Sequence, residues 1–410
     1  MKYGLIGEHL SHSFSPVIHG MLADYEYELK EIAPEDIDSF FKEADFLGIN
    51  VTIPYKQTVI PYLDYIDEGA RAIGAVNTVV KRDGRLCGYN TDFYGMKMLF
   101  AHAGIDPNGK KAAILGSGAT SKTASAVLDS LGASEILRVS RGGKDGSVTY
   151  EELAEKHKDI EIIVNTTPVG MYPDIYGCPI DISLFPRLSG VIDAVYNPIR
   201  TPLIMDALSR GINAEGGLYM LVGQAVRASE VFLGKEYPEG TLDRIYGNVK
   251  RRKENIVLIG MPACGKSTAG KLLRKKFQRL LVDTDKLIEQ KMGMKVSEIF
   301  EKYGEGEFRR LETEVIKEVS ALNSIIIATG GGAILKEENV RALKQNGRLI
   351  FIDRPIEMLM PTESRPLSSS REAIQKRYDE RYHIYCSVCD ERVDASGSPR
   401  RTAETITEIF

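Results

Sequence analysis

The sharpest chemical signal in the chain is Gly260-Met-Pro-Ala-Cys-Gly265-Lys266-Ser267, which satisfies G-x-x-x-x-G-K-[ST] at every position. Its glycines let backbone N–H groups turn inward around phosphate oxygens, and the helical run opening at Thr268 adds its partial positive charge. In such a loop Lys266 sits against the β- and γ-phosphates and Ser267 ligates Mg2+. Downstream, Asp283-Thr-Asp285 supplies two carboxylates. One can hold Mg2+ through water and the other can accept from a substrate hydroxyl. Taken alone, the pattern is more often a turn or a helix cap. Phe308-Arg309-Arg310-Leu-Glu312 offers a planar guanidinium fork for a carboxylate. Gly330, Gly331 and Gly332 then permit close backbone approach to a ligand.

The first half carries a different set. Ser13 and Ser15, at i and i+2 of a segment expected to be extended, point the same way and can meet a carboxylate together. Asn50-Val-Thr52-Ile-Pro-Tyr-Lys56, Gly74-Ala-Val-Asn77-Thr78 and Asn90-Thr-Asp92 follow. Lys56 and Asp92 can form a proton-transfer pair at a carbinol, with burial deciding which holds the proton. Each alone is more often a surface charge. Leu115-Gly116-Ser-Gly118-Ala119 follows an apolar strand and opens a helix, as dinucleotide binding requires, although a third glycine is missing. The next strand ends in Val139-Ser140-Arg141. Arginine, where an acid would select NAD, favours a 2′-phosphate and hence NADP, with Lys144 as a second phosphate partner.

These residues need a frame. A chain of 410 residues is long enough for two or three domains. Its hydrophobic share of 43% and charged share of 27% are those of soluble globular protein, and a net charge of -4 gives no reason to expect nucleic acid or membrane partners. No apolar run approaches the ~20 residues of a membrane helix, and no charged-then-apolar leader follows Met1. The five scattered cysteines suit free thiols in a reducing cytoplasm. Cys386 and Cys389 lack a second ligand pair, so two thiols on a helix are expected and not a zinc site. Small-molecule substrates and a monomer or homodimer complete the expectation.

Strands alternate with helices on both sides of a charged linker at 248–255. Apolar strands are predicted at 2–6, 48–53, 112–115, 136–139, 161–165 and 190–194, then at 256–259, 325–328 and 348–352. The fold class is α/β. A first domain over 1–249 divides into a substrate lobe (about 1–104 and 217–247) and a Rossmann-like NADP lobe (about 105–216). A P-loop domain with a parallel sheet occupies 255–410.

GxxxxGKS, DTD, FRRxE, GGG and Ser364-Arg365-Pro366-Leu367, followed by a late arginine, resemble shikimate kinase. The resemblance implies that Asp285 grips shikimate hydroxyls and Asp283 belongs to the Mg2+ shell. It implies that Arg309 and Arg381 bind the carboxylate, that Glu312 orients Arg309, and that Gly330, Gly331 and Gly332 lie against the ring. Arg365, from a lid, would meet the phosphates. The family's further lid arginine, which stacks on adenine, is missing from 357–364; Arg400 or Arg401 would cover the base instead. HSFSP, NVTIPYK, GAVNT, NTD and Gly223-Gln224-Ala225 resemble shikimate dehydrogenase. That resemblance implies a substrate carboxylate on Ser13 and Ser15, with its hydroxyls or ring on Thr52, Asn77, Tyr196 and Gln224. Lys56 becomes the general acid and Asp92 its partner. Gly116, Gly118, Ala119, Asn165 and Thr166 would line the NADP, with Gly217 and Met220 beside the nicotinamide. ATP and Mg2+ serve the second half. Two alternatives stay open: quinate in place of shikimate, or one half acting as a non-catalytic ligand-binding module. A nucleic-acid-dependent ATPase would need basic or aromatic strips that the sequence lacks.

Overall fold

Short runs rich in Val, Ile and Leu form the strands of three sheets, and most are buried on both faces. The structure, a computed structural model, describes residues 1–10, 13–143, 146–360 and 370–410. The chain divides into two units, Met1–Lys250 and Arg251–Phe410.

The first sheet holds β1 (Tyr3–Gly7), β2 (Tyr27–Glu31), β3 (Gly48–Val51), β4 (Tyr65–Ile66), β5 (Thr78–Arg82) and β6 (Arg85–Tyr89), in the order β2-β1-β3-β5-β6-β4. It is mixed, not wholly parallel: β5 runs antiparallel to both β3 and β6. The reason is local. Asp83 and Gly84 turn the β5–β6 hairpin with φ of 49° and 79°, the backbone hand that matches strand twist in a two-residue turn.

The second sheet is all parallel: β7 (Lys111–Leu115), β8 (Glu135–Val139), β9 (Ile162–Asn165), β10 (Gly190–Asp193) and β11 (Asn213–Glu215), ordered β11-β10-β9-β7-β8. One face (Ala113, Leu115, Ile163, Val191) and the other (Ala112, Ile114, Ile162, Val164, Ile192) belong to separate apolar clusters. The third sheet is also parallel: β12 (Asn255–Ile259), β13 (Leu281–Asp283), β14 (Ile326–Ala328), β15 (Gly347–Asp353) and β16 (Glu391–Asp394), ordered β13-β14-β12-β15-β16.

Two helices fix the geometry of the first unit. Thr91–His102 and Leu218–Leu233 cross closely, because a Cβ at Gly95 would lie 2.5 Å from the Met220 carbonyl and 3.0 Å from the Gln224 nitrogen. Asp92 and Gln224 are thereby brought to one place. The expected linker at 248–255 is instead helical for most of its length, within the helix Thr241–Lys253. Arg279 donates to the carbonyls of Arg251, Arg252 and Glu254 at 2.7, 3.2 and 2.8 Å. Helix-end carbonyls lack partners of their own, and this guanidinium supplies them. Among the described residues no helix is long and apolar enough to cross a membrane.

Candidate functional site

In the first unit a cavity of about 220 Å3 opens between the sheets. Ser13, Ser15, Thr52, Lys56, Asn77, Asp92, Tyr196, Gly217, Met220 and Gln224 all line it. Lys56 Nζ donates to Asp92 Oδ2 at 2.6 Å, with both side chains mostly buried. Asp92 owes its place to Asn90, whose Oδ1 accepts from the Phe93 nitrogen and caps the helix. Burial pushes the Tyr196 hydroxyl up.

The two serines converge for a reason other than strand alternation. Ser15 opens the helix Ser15–Leu22, with Pro16 in its first turn, so the segment is not extended. The Ser15 N–H donates to Ser13 Oγ at 3.2 Å, and a helix N-terminus thus stands beside both hydroxyls. Asn50, Thr120, Ala194 and Leu221 also line the cavity, although sequence reasoning assigned them nothing. Asn50 opens the quoted Asn50–Lys56 motif and Thr120 directly follows Ala119 of the cofactor turn, which was the only signal available.

The dinucleotide loop runs from β7 through Gly116, at φ 111°, to Gly118 at the N-cap of the helix Ala119–Ser130. No side chain caps that helix, which leaves its first N–H groups for an anion, and the loop therefore fits a pyrophosphate. Ser140 bonds Ser147 Oγ at 2.7 Å, and Arg141 is exposed. Lys144 lies outside the described residues. Asn165 and Thr166 differ from expectation. The Asn165 side chain is fully buried: its Nδ2 donates to Asp193 at 3.0 Å and its Oδ1 accepts from Thr167 Oγ1 at 2.7 Å. Thr166 Oγ1 donates to the Leu115 carbonyl. Both polar ends are used within the protein, so these side chains shape the loop from beneath. A Cβ on Gly217 would collide with the Ala194 carbonyl, which keeps that corner of the cavity open.

Asp193 is a hub that no motif revealed. Its carboxylate accepts from Asn165 Nδ2, the Val195 nitrogen at 2.9 Å and Thr201 Oγ1 at 2.6 Å. Burial raises it to about 7, against the pull of those three donors.

In the second unit Gly260 (φ 146°) and Gly265 (φ 105°) bend the loop between β12 and the helix Lys266–Phe277, again with no side-chain cap. Lys266 Nζ is folded onto the carbonyls of Gly260 and Met261 at 2.7 and 2.9 Å. Thr268 is exposed on the first turn. Ser267 Oγ donates to Asp283 Oδ2 at 2.7 Å. A hydroxyl and a carboxylate this close are hard oxygen donors that fit Mg2+, which takes its other ligands from water and phosphate. Among the described residues no cluster of three or more His, Cys, Asp or Glu suits a metal, and none of the cysteines is in a disulfide.

Across the loop, Arg309 Nη1 donates to Glu312 Oε2 at 2.6 Å, and Glu312 is almost wholly buried. Burial raises the Glu312 carboxyl, and Arg309 pulls it back. Arg381 Nη1 donates to the Gly331 carbonyl at 3.1 Å. The three glycines serve the protein's own side chains first. A Cβ at Gly330 would lie 2.6 Å from Asp285 Oδ1 and 2.7 Å from Glu312 Oε1; at Gly331 it would strike Pro262 at 2.9 Å, and at Gly332 the Arg309 guanidinium. Tyr385, missed in the sequence, lies one turn after Arg381 and reaches the carbonyls of Gly331 at 2.5 Å and Gly260 at 3.0 Å. Its spacing from Arg381 on one helix face was the available signal. Arg365 lies outside the described residues. Arg400 turns back along its own helix to Glu404, at 3.1 Å.

Residues 5–79 match the family model for the shikimate dehydrogenase substrate binding domain, and 262–410 match that for shikimate kinase. Shikimate dehydrogenase (NADP(+)) of Clostridium beijerinckii is 39% identical over 247 residues, covering 56% of this chain and 91% of the relative. The solved shikimate dehydrogenase 1 of Peptoclostridium difficile is 38% identical with a TM-score of 0.55, covering 61% of this chain and 98% of that one. The Thermus thermophilus shikimate 5-dehydrogenase, solved with NADP(H) and shikimate, is 27% identical with a TM-score of 0.54, over 60% of this chain and 99% of that one. With that likeness spanning the first unit and the kinase match nearly all of the second, the chain belongs to the shikimate dehydrogenase family and carries a shikimate kinase domain behind it.

Proposed function

We propose that the first unit reduces 3-dehydroshikimate to shikimate with NADPH, and that the second transfers the γ-phosphate of ATP to the shikimate C3 hydroxyl. The observation that carries the first half is the Lys56–Asp92 pair at 2.6 Å inside a cavity that also holds Ser13 and Ser15. The serine hydroxyls and the helix start beside them take the ring carboxylate. Thr52, Asn77, Tyr196 and Gln224 meet the hydroxyls and ring. NADPH supplies a hydride to the carbonyl carbon. Lys56 donates a proton to the oxygen as negative charge develops there, and Asp92 holds that ammonium in place. Gly217 and Met220 border the nicotinamide; Gly116, Gly118 and Ala119 border the pyrophosphate; Ser140, Arg141 and Lys144 take the 2′-phosphate. Asn165 and Thr166 support the loop from within.

In the second unit Arg309 and Arg381 take the ring carboxylate, with Glu312 holding Arg309 in its fork geometry. Asp285 accepts from the reacting hydroxyl, beside the backbone of Gly331 and Gly332. Gly260, Gly265, Lys266 and Thr268 enclose the phosphates, Ser267 and Asp283 hold Mg2+, and Arg365 closes over the transferred group. The product of the first site is the substrate of the second. The test is an assay of the purified chain with 3-dehydroshikimate, NADPH, ATP and Mg2+. NADPH loss and ADP formation should both depend on the ring acid. ADP released equally well without it removes the kinase reading, and NADPH left untouched removes the reductase reading.

A further inference from the structure

Beneath the cavity of the first unit runs a chain of buried polar groups, of which the chemistry above uses only Asn77. It starts at Tyr27 on β2, which does not itself line the cavity. The Tyr27 hydroxyl donates to Asn50 Oδ1 at 2.7 Å. The Asn50 amide faces this way because its Nδ2 also points at the Asn77 backbone carbonyl at 3.4 Å, which can only accept. The same Nδ2 donates to Thr78 Oγ1 at 3.0 Å. Thr78 Oγ1 in turn donates to Asn77 Oδ1 at 3.1 Å. The same Asn77 oxygen receives the Thr91 N–H at 2.7 Å and lies 3.2 Å from the Thr91 hydroxyl.

Asn77 is 3% exposed and lines the cavity. Its carbonyl oxygen faces a backbone N–H and two hydroxyls, those of Thr78 and Thr91, which lie 3.1 Å from each other. A flipped amide would set its NH2 against the Thr91 N–H, which cannot reverse its role. The amide thus offers the cavity Nδ2 alone, a donor that calls for an acceptor on the ligand. The outer end of the chain is equally fixed. His19 stacks on the Tyr27 ring at 3.9 Å and 9°, and its Nδ1 meets the Tyr25 hydroxyl at 2.6 Å. Burial pushes His19 down to about 3, so the imidazole is neutral at neutral pH.

We propose that Tyr27 is a positioning residue of the ring-acid pocket: through Asn50 and Thr78 it steadies the Asn77 amide, whose donor sense the Thr91 N–H sets, and so favours a substrate that presents a ring hydroxyl oxygen at that point. The inference rests on reading the cavity as the reductase site. Its test uses the full chain with Tyr27→Phe and Thr78→Val, assayed for NADP-dependent oxidation of shikimate and of its ring-deoxy analogues. Losing one orienting hydrogen bond should raise the shikimate KM about three- to tenfold in each variant. The KM for NADP should stay unchanged. The penalty should vanish for the one analogue that lacks the hydroxyl meeting Asn77. An unchanged shikimate KM, or an equal penalty on every analogue, overturns the relay, since a merely structural role would not single out one hydroxyl. Thr78→Val, close in shape, carries the same test alone if Tyr27→Phe does not fold. A wild-type chain that turns over none of these acids sinks the functional reading instead. The comparison is then made by calorimetry on shikimate binding, where equal affinities of wild type and variants overturn the relay.

Discussion

The two units hold their principal cations in opposite states. Lys56 already meets Asp92 across the cavity at 2.6 Å, while Lys266 is turned onto the carbonyls of its own loop. The reductase site is assembled by the fold, since the pair is fixed by a capped helix on one side and the segment after β3 on the other. In the kinase site Lys266 is held by carbonyl acceptors of its own loop. A small ring acid can be met by groups set in advance.

The sharpest way to break this contrast is Lys266→Met. Shikimate-dependent ADP formation should fall about a thousandfold or more, because the lysine faces charge that develops in transfer. NADPH oxidation should be untouched, and a loss of both would mean that the units do not act separately. Lys56→Ala is expected to lower the reductase kcat by about 10² to 10⁴, the usual worth of a positioned general acid, with kinase rates preserved. If KM moved and kcat did not, Lys56 would be a binding group only. Glu312→Gln keeps the shape but removes the charge beside Arg309, and the kinase KM for shikimate should rise roughly tenfold with little change for ATP. An ATP-specific defect would misplace the carboxylate fork.

The smallest effect concerns stability. Asp193 is raised to about 7 by burial. Between the ordinary carboxylate value and about 7, the folded chain keeps a proton that the unfolded chain has released. The stability tied to this group is therefore fully present below the unfolded value and is lost as pH rises through about 7. Asp193→Asn, which stays neutral, should flatten that fall, read as a smaller difference between denaturation midpoints at pH 5 and pH 8. Equal slopes in both proteins would mean that Asp193 ionises normally.

Sequence alone determined the chemistry that local patterns encode. The phosphate loop, the Asp-x-Asp pair, the apolar strands and the cofactor turn each depend on residues adjacent in the chain, where spacing sets geometry directly. The serine pair shows the limit. Both residues line the cavity, but the backbone expected to be extended is a helix start, set by Pro16 and by packing. The linker shows the same limit, for a run without apolar periodicity became helix once Arg279 could satisfy its last carbonyls. Only the tertiary structure decided which carboxylate Lys56 meets, that Asn165 faces inward to Asp193, and that Tyr385 spans two glycine loops. It alone set the polarity of Asn77, through the Thr91 N–H, and placed Tyr27, Asn50 and Thr78 behind it. Those contacts join residues far apart in sequence, and a hydrogen bond's direction depends on every donor and acceptor around it, which no single stretch of chain records.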